Sequence, residues 1–272
     1  MVSINNTVAN SAVLASLRKI NSDIAVNQTR IGTGLKISKS SDNPALFATA
    51  QGIRSDIRAQ EKLSADIGIS KARADAAVAG LDKITEIVNK IKDISADATA
   101  NNAAGSTLTA ATGKIAAYLT QIGAIASASG FQGKNFLNSA VAENVKLSSE
   151  TGAQISFTGE VFASQTDVAA LIGASNTTLA HVTAIDGLAD TALEHIATLQ
   201  ASVTAFSETL GSQLDFQTTL KGINETALSS IVDANMEEES AKSAALQVKQ
   251  QLAYQALAIG NNSAQNVLLL FR

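Results

Sequence analysis

One long hydrophobic seam limits what this chain can fold into. Leu63, Ile67, Ser70, Ala74, Ala77, Leu81, Ile84, Val88, Ile91, Ser95 and Ala98 alternate steps of four and three through five heptads, with Ser70 and Ser95 the only hydroxyl side chains on the line. That spacing puts every one of them on a single helical face. The chain has a single proline, Pro44, which follows Asn43: a side chain suited to the N-cap stands before a ring suited to the first helical position. A helix over about 44–99 follows, roughly 80 Å long at 1.5 Å per residue. A rod of that length cannot be wrapped into a compact globule and needs partner helices alongside it.

The same period recurs in separate blocks. Near the start, Val13, Leu17, Ile20, Ile24, Asn27 and Ile31 form a seam that only the polar Asn27 interrupts, predicting a helix over about 5–31. Gly32 and Gly34 offer positions tolerant of positive φ, and residues 38–43 read as a linker. Asn101, Asn102 and Gly105 end the long helix, and Leu108, Ala111, Ile115, Tyr118, Ile122 and Ile125 form a shorter, antiparallel one. From about residue 176 an all-apolar seam returns: Val182, Ile185, Ala189, Ala192, Ile196, Leu199, Val203, Phe206 and Leu210. Beyond a softer region around Gly222, the last block carries Leu246, Ala253, Leu257, Ala264 and Val267 on one line, with Val248, Leu252 and Ile259 on an adjacent line. Two neighbouring lines make a face wide enough for two partners, as in a multi-helix tube.

The period changes only between residues 131 and 162. Residues 145–148 and 154–158 alternate with period two around the turn-rich Ser149-Glu150-Thr151-Gly152, which predicts a β-hairpin. The fold class is therefore mainly α, a long coiled-coil or bundle rod with a small β-hairpin. Its core is expected to hold Leu63, Ile67, Leu81, Ile84, Val88, Ile91, Ile115, Ile122, Ile196, Leu199, Val203, Phe206 and Leu210. The two terminal blocks are the natural pair.

Composition excludes several functions. The chain has no cysteine, which removes thiolate nucleophiles, disulfides and Cys-based zinc sites, and its formal net charge of −4 is spread without the basic stripe that nucleic-acid binding needs. No apolar run approaches the roughly 20 residues that span a bilayer, so no membrane insertion is expected. The first residues do not read as a secretory signal peptide, because Asn5, Asn6, Asn10 and Ser11 interrupt the apolar positions and Arg18 and Lys19 follow them. His181 and His195 are the only histidines and make a poor metal site. The Gly32-Thr-Gly34 and Gly133-Lys134 pairs lack the companions of a nucleotide loop and read as turns. No nucleophile, base and orienting acid form a catalytic set, so neither an enzyme nor a cofactor is expected. The run Glu237 to Glu239 beside Lys242 reads as a solvated helix face.

Both ends carry a resemblance. Arg30-Ile-Gly-Thr-Gly-Leu-Lys-Ile-Ser-Lys-Ser-Ser-Asp-Asn-Pro-Ala45 resembles the arginine, glycine and aspartate turn that precedes the long helix of bacterial flagellins. Ala258-Ile-Gly-Asn-Asn-Ser-Ala-Gln-Asn-Val-Leu-Leu-Leu-Phe-Arg272 is similar to that family's arginine-ended tail. The order of helices between them agrees, and the short stretch between the third and fourth helices implies a flagellin without variable outer domains.

Membership would imply a secreted, extracellular filament subunit, exported unfolded by the flagellar type III system. Residues 1–42 and 223–272 would form an inner tube and residues 43–222, with the hairpin at 131–162, the rod around it. The axial assembly interface would then hold Val13, Leu17, Ile20, Ile24, Ile31, Leu246, Val248, Leu252, Leu257, Ile259, Val267, Leu268, Leu270 and Arg272. Expected partners are other flagellin subunits, an export chaperone on the C-terminal helix, and the filament cap and hook-associated proteins. The family also implies an innate-receptor contact around Lys90, Ile94 and Lys114, weakened here because Lys114 stands where detected flagellins place a glutamate. The hook–filament junction protein shares the terminal logic and is the nearest alternative. A chemoreceptor-like signalling coil would share the heptads but lack the β region and the exposed apolar tail.

Overall fold

The computed structural model of the protein describes the backbone of residues 7–138, 140, 142–148, 152–162, 169, 170 and 178–270, and the side chains of these from 11 to 260. Five long helices and two strands follow in the order α1 (Thr7–Thr33), α2 (Pro44–Ala100), α3 (Gly105–Ala128), β1 (Ala142–Lys146), β2 (Gln154–Thr158), α4 (Leu179–Val232) and α5 (Met236–Leu270). The chain forms two compact units, one of residues 58–221 and one of residues 1–57 with 222–272.

In the first unit the seams of α2, α3 and α4 close on one another. All thirteen residues expected in the core are buried there, and so are the seam residues Ser70, Ala74, Ala77, Ser95, Ala98, Ala189 and Ala192. Side chains bonded across α2 and α4 fix their direction: Glu61 with Lys221, Asp75 with Ser207, Asp82 with Gln200, Lys92 with Asp190, and Thr99 with Thr183. Partners advance along one helix as fast as they retreat along the other, which makes the pair antiparallel and free of slippage. Most of these rungs lie one or two heptads apart, as a coiled-coil seam requires. Ser70 and Ser95 belong to the seam because each hydroxyl has a buried acceptor: the Glu143 carboxylate, 2.8 Å away, and the Val182 carbonyl. On α3 the buried line is Ile115, Leu119, Ile122 and Ala126, so Tyr118 and Ile125 sit at its edge.

The hairpin lies in the same unit. β1 and β2 pair antiparallel with Glu143 opposite Phe157 and Val145 opposite Ile155. The first strand begins three residues earlier than its alternation suggests, and this register turns Glu143 inward together with Val145. The turn at 149–151 lies outside the described residues. Phe157 stacks on Phe206 of α4 at 4.9 Å between ring centroids, and Phe136 meets Phe157 at 5.1 Å, which anchors the hairpin to the helices. Glu143 anchors it from the other side, accepting from Arg73 Nη1 at 2.6 Å and pairing with Lys134. Burial drives this carboxyl upward, but the bonds from Lys134 and Ser70 and the positive charges of Arg73 and Lys134 outweigh it and hold it below its ordinary value. Gly80 marks the tightest approach of α2 to the segment after α3. A Cβ there would stand 2.0 Å from Ser129 Oγ and 2.6 Å from Ser129 Cβ.

Gly222 and Gly32 both lie within helices. α4 runs without interruption through Gly222 to Val232, and the softer region expected there is ordinary helix. One glycine costs a helix only about 1 kcal/mol, which neighbouring turns outweigh. The break comes instead at residues 233–235. There Asn235 Oδ1 accepts from the amides of Glu237 at 3.0 Å and Glu238 at 3.4 Å, and the three glutamates of the first turn face the positive helix end. Gly32 is likewise helical, and only Gly34, with φ +71°, uses the left-handed region to end α1.

Candidate assembly interface

The second unit brings the two ends of the chain together. α1 packs along α5, and the bonds that Gln250 Nε2 donates to Asn21 Oδ1 and Asn27 Nδ2 donates to Glu239 show that the two run antiparallel. Leu17 and Leu246 are buried in this pairing, and Val13, Ile20, Ile24, Ile31 and Leu257 are half-buried. The line containing Leu246 and Leu257 is therefore the one α5 spends on its own chain. The adjacent line is left uncovered: Val248, Leu252 and Ile259 remain 54%, 58% and 67% exposed. The side chains of Val267, Leu268, Leu270 and Arg272, named from the sequence, lie outside the described residues.

Asn27 does not weaken the seam, as its polarity suggested, but anchors it. Its side chain is buried, and Nδ2 donates to the Glu239 main-chain oxygen at 2.9 Å and to Glu239 Oε2 at 2.6 Å. Arg30 Nη1 donates to the other carboxylate oxygen at 3.1 Å. Glu239 is accordingly buried, which corrects the expectation of a solvated acidic face; Glu237 and Glu238 are exposed as expected. Burial pushes the Glu239 carboxyl up, but the bonds from Asn27 and Arg30, with the charges of Lys242 and Arg30, leave it below its ordinary value.

A carboxyl lowered in the folded state contributes its stability in full above the ordinary value of 4.5 and loses it as pH falls through the lowered one. Acidification from pH 6 to pH 3 is thus expected to loosen the α1–α5 pair, and Glu239→Gln is expected to flatten that dependence. Helical circular dichroism of filaments during an acid titration measures both, and parallel curves for the two proteins would contradict the assignment.

Main-chain bonds close this unit at the base of the pair. Lys36 N donates to Val232 O at 2.7 Å and Ala234 N to Gly34 O at 2.9 Å, with Ile37 and Val232 buried beside them. The turn into α2 is held by Asp42, whose carboxylate accepts from the amides of Ser38 at 3.0 Å and Lys39 at 3.1 Å. Asn43 Oδ1 then caps α2 by accepting from Leu46 N at 3.1 Å.

The remaining singled-out residues fall elsewhere. Ile94 of α2 and Lys114 of α3 line one groove of about 480 Å³, whereas Lys90 pairs with Glu86 on its own helix. His181 Nδ1 meets Thr178 Oγ1 at 2.7 Å at the start of α4, and His195 Nε2 stands 3.5 Å from Glu160. Among the described residues, no helix is long and apolar enough to cross a membrane.

The fold and its paired ends define a mainly α, coiled-coil structural subunit, and comparison with known proteins agrees. Residues 4–142 match the bacterial flagellin N-terminal helical region, and residues 187–271 match the bacterial flagellin C-terminal helical region. A flagellin of Brucella melitensis biotype 1 is 32% identical, covering 97% of this chain and 98% of its own length. Flagellin FljK of Caulobacter vibrioides is 28% identical, covering 99% of this chain and 98% of its own length. The crystal structure of Bacillus cereus flagellin shares the fold at a TM-score of 0.50 and 17% identity, covering 56% of this chain and 88% of that one. The chain belongs to the bacterial flagellin family. It is a structural subunit of the extracellular flagellar filament and polymerises with other flagellin subunits.

Proposed function

We propose that the subunit travels unfolded through the flagellar type III apparatus and joins the filament by its two ends. Residues 1–42 and 223–272 would form the axial part and residues 43–222 the part around it. The observation that carries this reading is the uncovered line of Val248, Leu252 and Ile259 beside a line already spent on α1. Each such side chain contributes roughly 1.5–3 kcal/mol when fully buried, and a neighbouring copy is the cover that a polymer supplies. The same contact repeated with a rotation that does not close produces an open helical fibre.

In the dilute monomer the two ends are expected to be largely unstructured, because a narrow two-helix seam barely offsets the cost of ordering them. Hydrogen exchange tests this: fast exchange over 7–33 and 236–270 in the monomer should give way to protection in the filament. Ends already protected in the monomer would end this version of assembly.

Before export the apolar line of α5 also needs a cover. An export chaperone on residues 230–272 fits that need, with the filament cap and hook-associated proteins as later partners. Chaperone capture should be lost when the tail is removed, and equal capture of the truncated chain would rule the location out.

A further inference from the structure

The buried polar node of Asn27, Arg30 and Glu239 does more than fill space in the terminal pair. Elsewhere the seam of α1 is apolar and that of α5 mixes apolar Leu246, Ala253 and Leu257 with the uncharged, half-buried Ser243 and Gln250, and heptad-spaced faces of this kind tolerate a slip of one heptad. We infer that this node selects the register in which the chain's two ends pair, and thereby whether the uncovered line of α5 is placed to meet the next subunit. The inference rests on the assembly reading above and deepens it.

Each slipped register would set different side chains face to face. A slip in one direction puts Ile20 and Asp23 where Asn27 and Arg30 now stand, so the buried Glu239 carboxylate would lose both donors and face another acid. Asn27 and Arg30 would then lie against Val232. A slip in the other direction brings Glu239 to Gly34 and Ile37, beyond the end of α1, and sets Leu246 against Asn27 and Arg30. Both alternatives leave a buried or half-buried charge without partners, a cost that a one-heptad slip of an uncharged seam does not carry. The second polar rung, Asn21 with Gln250, is exposed and discriminates little. A slip of one heptad also moves Val248, Leu252 and Ile259 by about 10 Å along α1, so a subunit paired out of register cannot repeat the lattice contact.

The chain has no cysteine, so an introduced pair reports on itself alone. Asn21→Cys with Gln250→Cys reads the observed register, and Asn21→Cys with Ser243→Cys reads the slipped one. Cross-linking is measured on filaments from a strain expressing only the variant or, where these are too few, on filaments in which the variant is co-assembled with the parent subunit. With the node intact, the first pair should cross-link at least about tenfold more than the second, as buried polar pairs do in fixing register. With Asn27→Leu, Arg30→Met and Glu239→Leu combined, that preference should collapse and filament yield should fall. Arg30→Glu and Glu239→Arg should each lose filaments singly and recover them together, since Asn27 Oδ1 is a buried acceptor with no partner and can take the relocated arginine.

The apolar variant overturns the inference if it keeps the tenfold preference or a normal filament yield. A charge swap no better than its single variants overturns it too. The assembly reading fails separately, if Leu252→Asp leaves filaments intact, and that result does not touch the cross-linking ratio.

Discussion

Leu252→Asp is expected to abolish filament formation while leaving the unit of residues 58–221 folded as before. Leu252 is 58% exposed on α5, so the substitution removes little packing within the chain. Its effect on the subunit's own stability should stay within about 0.5 kcal/mol, as for most surface changes. In a filament the same carboxylate would be buried without a partner in every copy, at a cost of several kcal/mol each time. Electron microscopy of a strain expressing only this variant, beside thermal unfolding of the purified chain, separates the two effects. Normal filaments would show that the uncovered line of α5 is not the contact. Ile24→Asp is a less selective probe, because Ile24 is half-buried in the α1–α5 pair and its loss would also disturb the subunit.

Glu143→Ala should strongly destabilise the unit of residues 58–221. It removes the acceptor shared by Ser70, Arg73 and Lys134 and leaves Arg73, whose side chain is 14% exposed, without its counter-ion. Breaking a buried pair from one side costs about 3–5 kcal/mol, which in a unit of this size lowers the melting temperature by roughly 10 °C. Pairing it with Arg73→Met should recover much of the loss, because Lys134 is half-exposed and can turn to water. Thermal unfolding of the single and double variants measures this. A Glu143→Ala chain that melts like the parent would show that the hairpin is held by its aromatic contacts alone.

The helices were legible because their period is carried by many residues at once. Eleven seam positions from Leu63 to Ala98 outvote any local ambiguity, and every one of them is buried. Their antiparallel partner on α4 was equally clear for the same reason. What escaped was decided by single residues whose partners lie far away along the chain. Asn27 looked like a flaw in a seam, because its acceptor Glu239 stands more than two hundred residues later and resembled one member of a solvated acidic run. Glu143 was invisible because a period-two pattern of a few residues fixes a strand's existence better than its phase, and the phase decides which side chain turns inward. Gly222 and Gly32 misled in the opposite way, since a weak local preference was read where packing prevails. Of the candidate interface, the two lines on α5 could be read from spacing alone. Which of them stays bare required the position of α1.

The stitch between residues 34–37 and 232–234 is made from amide and carbonyl groups only. Its bonds therefore depend directly on how many residues lead up to them, while side chains matter there at Gly34, with φ +71°, and at the buried Ile37 and Val232. One residue added or lost between Asn27 and Gly34, or between Val232 and Glu239, puts the stitch out of step with the Asn27–Glu239 contact. Seen this way, the base of the terminal pair is a gauge of length, and it ties the spacing of one chain end to that of the other.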